Sequence, residues 1–390
     1  MLKIIRKIDK PLFFITIIMF IFGLLMIFSA SYVKAITSLG NAYYYLIRHG
    51  IILIICMFVF LFFINIPSSK YKKHYKTIVY LSIALLLALI PFGITVNGAK
   101  SWLHTPFLNF QPSELAKIAI IVYMAVYYEK HKDNKDDYRL ALKPFVLVIA
   151  ICIIIAMQPD LGSALIIFII SALLFIGVPL LPTVKKKIWS KIILTAIFGV
   201  AILAVLFVTG KTGLYEYQLQ RFNFLKPCQR YTEVGTGYQV CNSYIAINNG
   251  GLFGVGIGNS TQKYLYLPES YTDFIFPVII EELGLIVGIV IIFMYAIILY
   301  RIIMIAKSCY NLSQGLICYG VAIYILVHIF INLVGVLGLM PLTGVPLPFL
   351  SYGGSYSLCL TIALTMVQRI KAETEITKQE EKLKNKIREI

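Results

Sequence analysis

The sequence predicts an all-α polytopic membrane protein of about ten transmembrane helices, with a large extracellular loop between helices 7 and 8. Three observations predict it. Of 390 residues, 59% are hydrophobic and only 14% charged, with a mean hydropathy of +0.84, a balance that no soluble domain sustains. Apolar runs long enough to cross a bilayer recur along the chain. The lysines and arginines behind the net charge of +17 lie in short clusters between those runs, so they read as topology determinants and not as a nucleic-acid surface.

In chain order, the spans fall at about 11–33, 44–66, 77–96, 113–128, 144–158, 161–181, 191–209, 274–300, 315–335 and 351–369. The first run has full spanning length and lacks the short apolar core and small-residue cleavage site of a leader, so it is expected to stay as a helix. Lys3, Arg6, Lys7 and Lys10 ahead of it place the N-terminus in the cytoplasm. Alternation then puts the basic segments 70–76, 130–143 and 185–191 and the C-terminal tail inside, and leaves 97–112, 210–273 and 336–350 outside. Gln158-Pro159-Asp160 makes a tight outward turn after which Asp160 can cap the next helix. Residues 1–370 form one membrane domain. Residues 371–390 form a charged cytoplasmic tail, helix-prone with a sparse apolar set at Ile376, Leu383, Ile387 and Ile390.

Seven cysteines suit a fold that does not depend on disulfides. Cys228 and Cys241 share the outer loop; they either pair, closing a loop worth about 3 kcal/mol in the chain-entropy model, or remain free thiols. No Cys/His cluster has zinc spacing, so no structural metal is expected. No internal repeat is visible, which weighs against a transporter built from paired repeats.

Polar groups gather towards the outer face. Asp273 stands where a polar segment turns into the apolar run 274–300, which contains Glu281 and Glu282. A carboxylate inside hydrocarbon costs roughly 2.5 kcal/mol or more, so such residues face partners or a wet cavity. Capping by Thr272 and Asp273 is the plainer alternative. Glu114 and Lys117, three apart at the start of the fourth span, lie on one side of it and can pair; Arg48 can partner Glu281 or Glu282, or simply snorkel. The loop 97–112 carries Trp102, Lys100 and His104 and reads as interfacial or re-entrant, with a cation available to a phosphate. The loop 336–350, with PLTGVPLPFL, cannot continue a helix and needs shielding by protein or a wet cavity. In the segment 210–273, Lys211, Arg221, Arg230 and Lys263 accompany the glycine-rich INNGGLFGVGIGN, whose backbone N–H groups can approach an anion, although flexibility alone would also explain it.

The strings NGAKSWL, FQPSELAK, QPDLGSAL, YLPESYTDFIF with EELG, and PLTGVPLPFLSYGGS, five motifs in order over residues 97–355, resemble the SEDS family of bacterial envelope polymerases. GYQVCNSYIAINNGG and GNSTQKYLYLPE resemble its cell-division branch more than its elongation branch. The resemblance implies a peptidoglycan glycosyltransferase that joins lipid II units at the outer face of the cytoplasmic membrane. It implies Asp273 as catalytic base, and Glu114 and Lys117 as a polar pair supporting the site or contacting diphosphate. Arg221, Lys263 and Lys100 would serve as phosphate contacts, with Glu281 and Glu282 in support. It calls for no certain cofactor, with a divalent cation such as Mg2+ or Mn2+ as an open alternative. Implied partners are lipid II, a class B penicillin-binding protein acting as transpeptidase, other divisome proteins and membrane lipids, without nucleic acid, at the division septum. A lipid II flippase and a non-catalytic divisome scaffold are the competing readings.

Overall fold

The computed structural model describes residues 2–96, 98–105, 109–134, 136–208, 226–230, 236–264 and 266–388. A short helix α1 (Leu2–Ile5) precedes α2 (Lys10–Leu39), α3 (Tyr44–Phe63) and α4 (Ser68–Phe92). A three-stranded antiparallel sheet follows, with β1 (Gly93–Val96), β2 (Ala99–His104) and β3 (Asn109–Phe110) in the order 1-2-3. Then come α5 (Pro112–Lys130), α6 (Tyr138–Ala156), α7 (Leu161–Ile176), α8 (Pro182–Val208), a 3-10 turn at Pro227–Arg230 and α9 (Thr236–Gly250). The chain closes with α10 (Ile275–Leu283), α11 (Leu285–Ser308), α12 (Leu312–Val336) and α13 (Gly354–Arg388).

Burial sorts these helices into a centre and a periphery. In the spanning part of α12, 72% of residues are buried, against 17% in α3, so α12 is enclosed by protein while α3 turns most of its surface to hydrocarbon. α5 is also buried along nearly its whole length, and it meets α12 where a Cβ on Gly320 would press into the Ile121 side chain. Among the described residues, six helices are long and apolar enough to cross a membrane. α5 falls outside that set because it carries Glu114, Lys117, Glu129 and Lys130, and its enclosure is what makes those charges tolerable.

Local signals set the helix ends. Asp9 caps α2 by accepting from Leu12 N–H and holds Arg301 of α11 at 2.5 Å. Asp160 caps α7 by accepting from Ser163 N–H at 3.0 Å, as its place after Gln-Pro suggested.

The structure corrects or sharpens four expectations. The loop 97–112 is no bare interfacial segment: β2 pairs with β1 and β3, because backbone at the membrane boundary is best satisfied by pairing with itself. The run 274–300 is two helices, α10 and α11, broken at Gly284 with φ 88, a left-handed value that glycine adopts without a Cβ clash. The helix-prone tail is continuous with the last span: α13 runs unbroken to Arg388, with Ala372 and Thr374 buried and Leu383 and Ile387 exposed. The glycine-rich run after α9 packs its backbone against α10. Its N–H groups go to α10 carbonyls, Val255 to Glu281 and Gly256 to Glu282, and Cβ atoms at Gly250 or Gly254 would overlap the Ile280 or Glu282 carbonyls. The glycines are there so that two backbones can touch.

Candidate active site

Asp273 lies in the turn just ahead of α10, half-buried. The N-cap position of α10 is Phe274, whose side chain has no polar atom to cap it, and Asp273 is the residue before it. The turn is held from three sides. Ser270 Oγ donates to the Ala30 carbonyl of α2 at 3.0 Å. Tyr352 N–H donates to the Tyr271 carbonyl at 2.9 Å. Asn332 Nδ2 of α12 donates to the Asp273 carbonyl at 2.8 Å. Thr272 Oγ1 lies 3.0 Å from Asp273 Oδ1 and 2.6 Å from Glu269 Oε2.

The loop 337–353 forms the facing wall. A Cβ on Gly344 would lie 3.9 Å from Asp273 Oδ2. Its prolines leave few internal hydrogen bonds, and the protein supplies the shielding they require: Val345, Leu347, Phe349 and Leu350 are buried. Tyr295 OH donates to the Pro348 carbonyl at 2.5 Å, and the Phe349 ring packs edge-on against Phe20 at 5.0 Å. The Tyr271 ring packs tilted against Tyr45 at 4.5 Å and edge-on against Tyr352 at 5.7 Å. A cation beside this turn that sequence reasoning missed is Lys34, which donates to the Pro268 carbonyl at 2.9 Å and stands 5.0 Å from the Tyr271 ring centre.

Beneath the wall lies a buried polar cluster on α5 and α12. Lys117 Nζ donates to Glu114 Oε1 at 2.6 Å and meets His328 Nε2 at 3.1 Å, while Tyr324 OH donates to Glu114 Oε2 at 3.1 Å. Glu114 and Lys117 therefore pair as their spacing suggested. His328 and Tyr324 carried no signal in the sequence, being single polar residues within an apolar run.

The other candidates are tied down elsewhere. Glu281 collects the loop 258–263: Thr261 N–H and Oγ1 at 3.2 and 2.9 Å, Gln262 N–H at 3.3 Å, Asn249 Nδ2 at 3.1 Å, and a short bond from Ser260 Oγ. Glu282 accepts from Ser29 Oγ at 2.7 Å and from Lys263 Nζ at 2.9 Å. Lys263 also donates to the Gly258 carbonyl at 2.6 Å and is buried. Arg48 donates to Tyr44 OH at 2.8 Å, so the expected partnership with Glu281 or Glu282 does not form; Lys263 and Ser29 take the Glu282 place. Lys100 Nζ donates to the Ile90 carbonyl at 2.6 Å, seating the sheet on the end of α4. Arg221 and Lys211 lie outside the described residues. Cys228 and Cys241 form a disulfide that ties the 3-10 turn to α9. Among the described residues no group of three His, Cys, Asp or Glu side chains could hold a metal ion.

The family model described as cell cycle protein, covering FtsW, RodA and SpoVE, matches residues 10–376. A Bacillus subtilis (strain 168) protein named "Probable peptidoglycan glycosyltransferase FtsW" is 33% identical over 389 residues, covering 97% of this chain and 94% of its own. A Coxiella burnetii protein of the same name is 36% identical over 362 residues, covering 90% and 93%. Among solved structures, Thermus thermophilus rod shape determining protein RodA superposes with a TM-score of 0.68 at 24% identity, covering 94% of this chain and 97% of that one. A chain of a peptidoglycan synthase complex that coordinates polymerization and crosslinking gives 0.73 at 22%, covering 94% and 98%. At these identities the structural likeness speaks for the fold alone.

Proposed function

Because this chain belongs to the FtsW, RodA and SpoVE family of cell cycle proteins, we propose that it is a peptidoglycan glycosyltransferase polymerising lipid II into glycan strands at the outer face of the cytoplasmic membrane. The observation that carries the reading is Asp273. Its carboxylate sits in a turn anchored by α2, α12 and the loop 337–353, and it lies beside Gly344 of that loop.

In the reaction, the acceptor sugar hydroxyl attacks the anomeric carbon of the donor. A new carbon–oxygen bond forms there as the bond to the lipid diphosphate breaks, the diphosphate leaves with the electron pair, and the hydroxyl proton passes to Asp273. Diphosphate leaves without a strong acid to protonate it, so one carboxylate suffices where many hydrolases need two. Inversion from an α-linked donor to a β linkage is the expected outcome. Glu114 and Lys117, locked together with His328, support the wall from beneath. Lys263, Glu281 and Glu282 hold the segment 258–263 in place. Lys100 and Arg221 remain candidates for the diphosphate.

Both termini are assigned to the cytoplasm from the distribution of Lys and Arg, and the disulfide supports an external position for the segment 226–250. The partner proposed is a class B penicillin-binding protein, since glycan strands need crosslinking; other divisome proteins and the division septum are proposed from the resemblance to the cell-division branch. The charged tail 371–390 is assigned to the cytoplasm beyond a membrane domain of 1–370.

Purified protein given lipid II should make glycan strands, alone or with its transpeptidase. Failure to make glycan with a cognate transpeptidase present, together with movement of lipid II across vesicles, would replace this reading with a flippase.

A further inference from the structure

One face of α12 presents Tyr324, His328 and Asn332 at successive turns, each four residues from the next. The first two bind the Glu114–Lys117 pair. Asn332 is buried, and its carboxamide nitrogen donates twice, to the Asp273 carbonyl at 2.8 Å and to the Val345 carbonyl at 2.8 Å. Those carbonyls belong to the turn carrying the base and to the loop facing it. One NH2 group has two protons, and here each holds one wall of the site. From this geometry we infer that Asn332 is a positioning residue for the polymerisation reaction, setting the separation between Asp273 and the loop 337–353.

The physical argument is one of leverage. The turn 271–274 and the loop 337–353 have little regular structure of their own, so their spacing depends on cross-links. Tyr352 N–H to Tyr271 O is a second such link, but it joins the residues flanking the site. Asn332 joins the residue bearing the base to the residue after Gly344, whose missing Cβ leaves the approach to Asp273 Oδ2 open. α12 is the enclosed helix of the bundle and cannot easily shift, so a donor mounted on it holds both walls to a rigid reference. Misplacing a reacting group by about 1 Å can cost up to 10²-fold.

The inference rests on the reading of Asp273 as base, and its test is chosen to separate the two. Asn332→Leu keeps the approximate volume and removes both donors, whereas Asn332→Gln keeps the carboxamide on a longer arm. Each variant is purified with its transpeptidase, the folded fraction is measured by gel filtration and thermal melting, and kcat and KM for lipid II are determined per folded molecule. The expected result is a fall in kcat of roughly 10- to 100-fold for the leucine variant, with KM within about threefold of the parent, and partial recovery in the glutamine variant. Three results would overturn the inference: parental kcat per folded molecule, a loss confined to KM, or a glutamine variant no better than leucine. If the leucine protein does not fold, the glutamine variant carries the test: a kcat reduced severalfold at unchanged KM supports the inference, and parental kinetics overturn it. Full activity in Asp273→Asn would instead remove the base assignment itself, whatever Asn332 does.

Discussion

Glu282→Gln, Lys263→Met and the two combined separate a structural role from a substrate-binding role for the same buried pair. Lys263 Nζ and Glu282 Oε1 are 2.9 Å apart, with side chains 3% and 0% exposed, so neither charge can turn to water when its partner is lost. Removing one member of such a pair costs about 3–5 kcal/mol, while replacing both by uncharged groups is often near neutral. The partners left behind rank the two singles. After Glu282→Gln the ammonium keeps the Gly258 carbonyl at 2.6 Å and Ser29 Oγ at 3.3 Å, which places that loss near the lower end, about 3 kcal/mol. After Lys263→Met the carboxylate keeps only Ser29 among the donors the structure gives it, which places the loss nearer 5 kcal/mol. At 1–2 °C per kcal/mol for a chain of this size, extrapolating the fall of that slope with length, melting in detergent should drop by roughly 5 °C for the glutamine variant, and further for the methionine variant. The double variant should melt close to the parent, the two changes being strongly non-additive. If the pair only pins the segment 258–263, the double variant also polymerises lipid II at close to the parental rate. A double variant as unstable as either single refutes the energetic argument. One that folds but does not polymerise refutes the structural role and returns Lys263 to the substrate.

Asp273→Asn should leave melting and lipid II binding nearly unchanged while lowering polymerisation by roughly 10²- to 10⁴-fold; a parental rate in the folded variant would end its assignment as base. Replacing Cys228 and Cys241 together by serine should destabilise the contact between the 3-10 turn and α9 by about 3 kcal/mol, read as faster proteolysis at Arg230 in intact cells, and unchanged cleavage would count against a contribution from the disulfide. At the opposite end of the bundle, burial raises the Glu129 carboxyl, but the hydrogen bonds from Lys72 and Ser313 more than offset this and hold it below the ordinary value of 4.5. A depressed folded value contributes stability above the unfolded value and loses it as pH falls through the folded one. Glu129→Gln should therefore lower melting at pH 7 and make the decline below about pH 4.5 shallower than in the parent; parallel melting curves would refute the linkage.

The membrane class, most of the spans and the Glu114–Lys117 pair were legible in the sequence, because hydropathy is a property of contiguous residues and a pair three apart on a helix meets whatever the rest of the chain does. Asp160 as a helix cap was legible for the same reason. What the tertiary structure alone decided is where the remaining polar groups go. Lys263 is 19 residues from Glu282 and 234 from Ser29, and His328 is 211 from Lys117. No local pattern distinguishes Lys263 from Lys100 as a phosphate contact, or Lys263 from Arg48 as the partner of Glu282. The break at Gly284 escaped the hydropathy reading because α10 and α11 are equally apolar on either side of it. The left-handed φ and the approach of the Leu252 backbone, whose carbonyl a Cβ at Gly284 would strike, explain the glycine there. The same holds for Asn332: a lone amide in an apolar run becomes informative only once two carbonyls, 59 and 13 residues away, are seen at 2.8 Å. Hydrocarbon rewards apolar sequence wherever it occurs, and so determines which segments enter the membrane; a buried polar group is satisfied only by the particular donor or acceptor that folding brings to it.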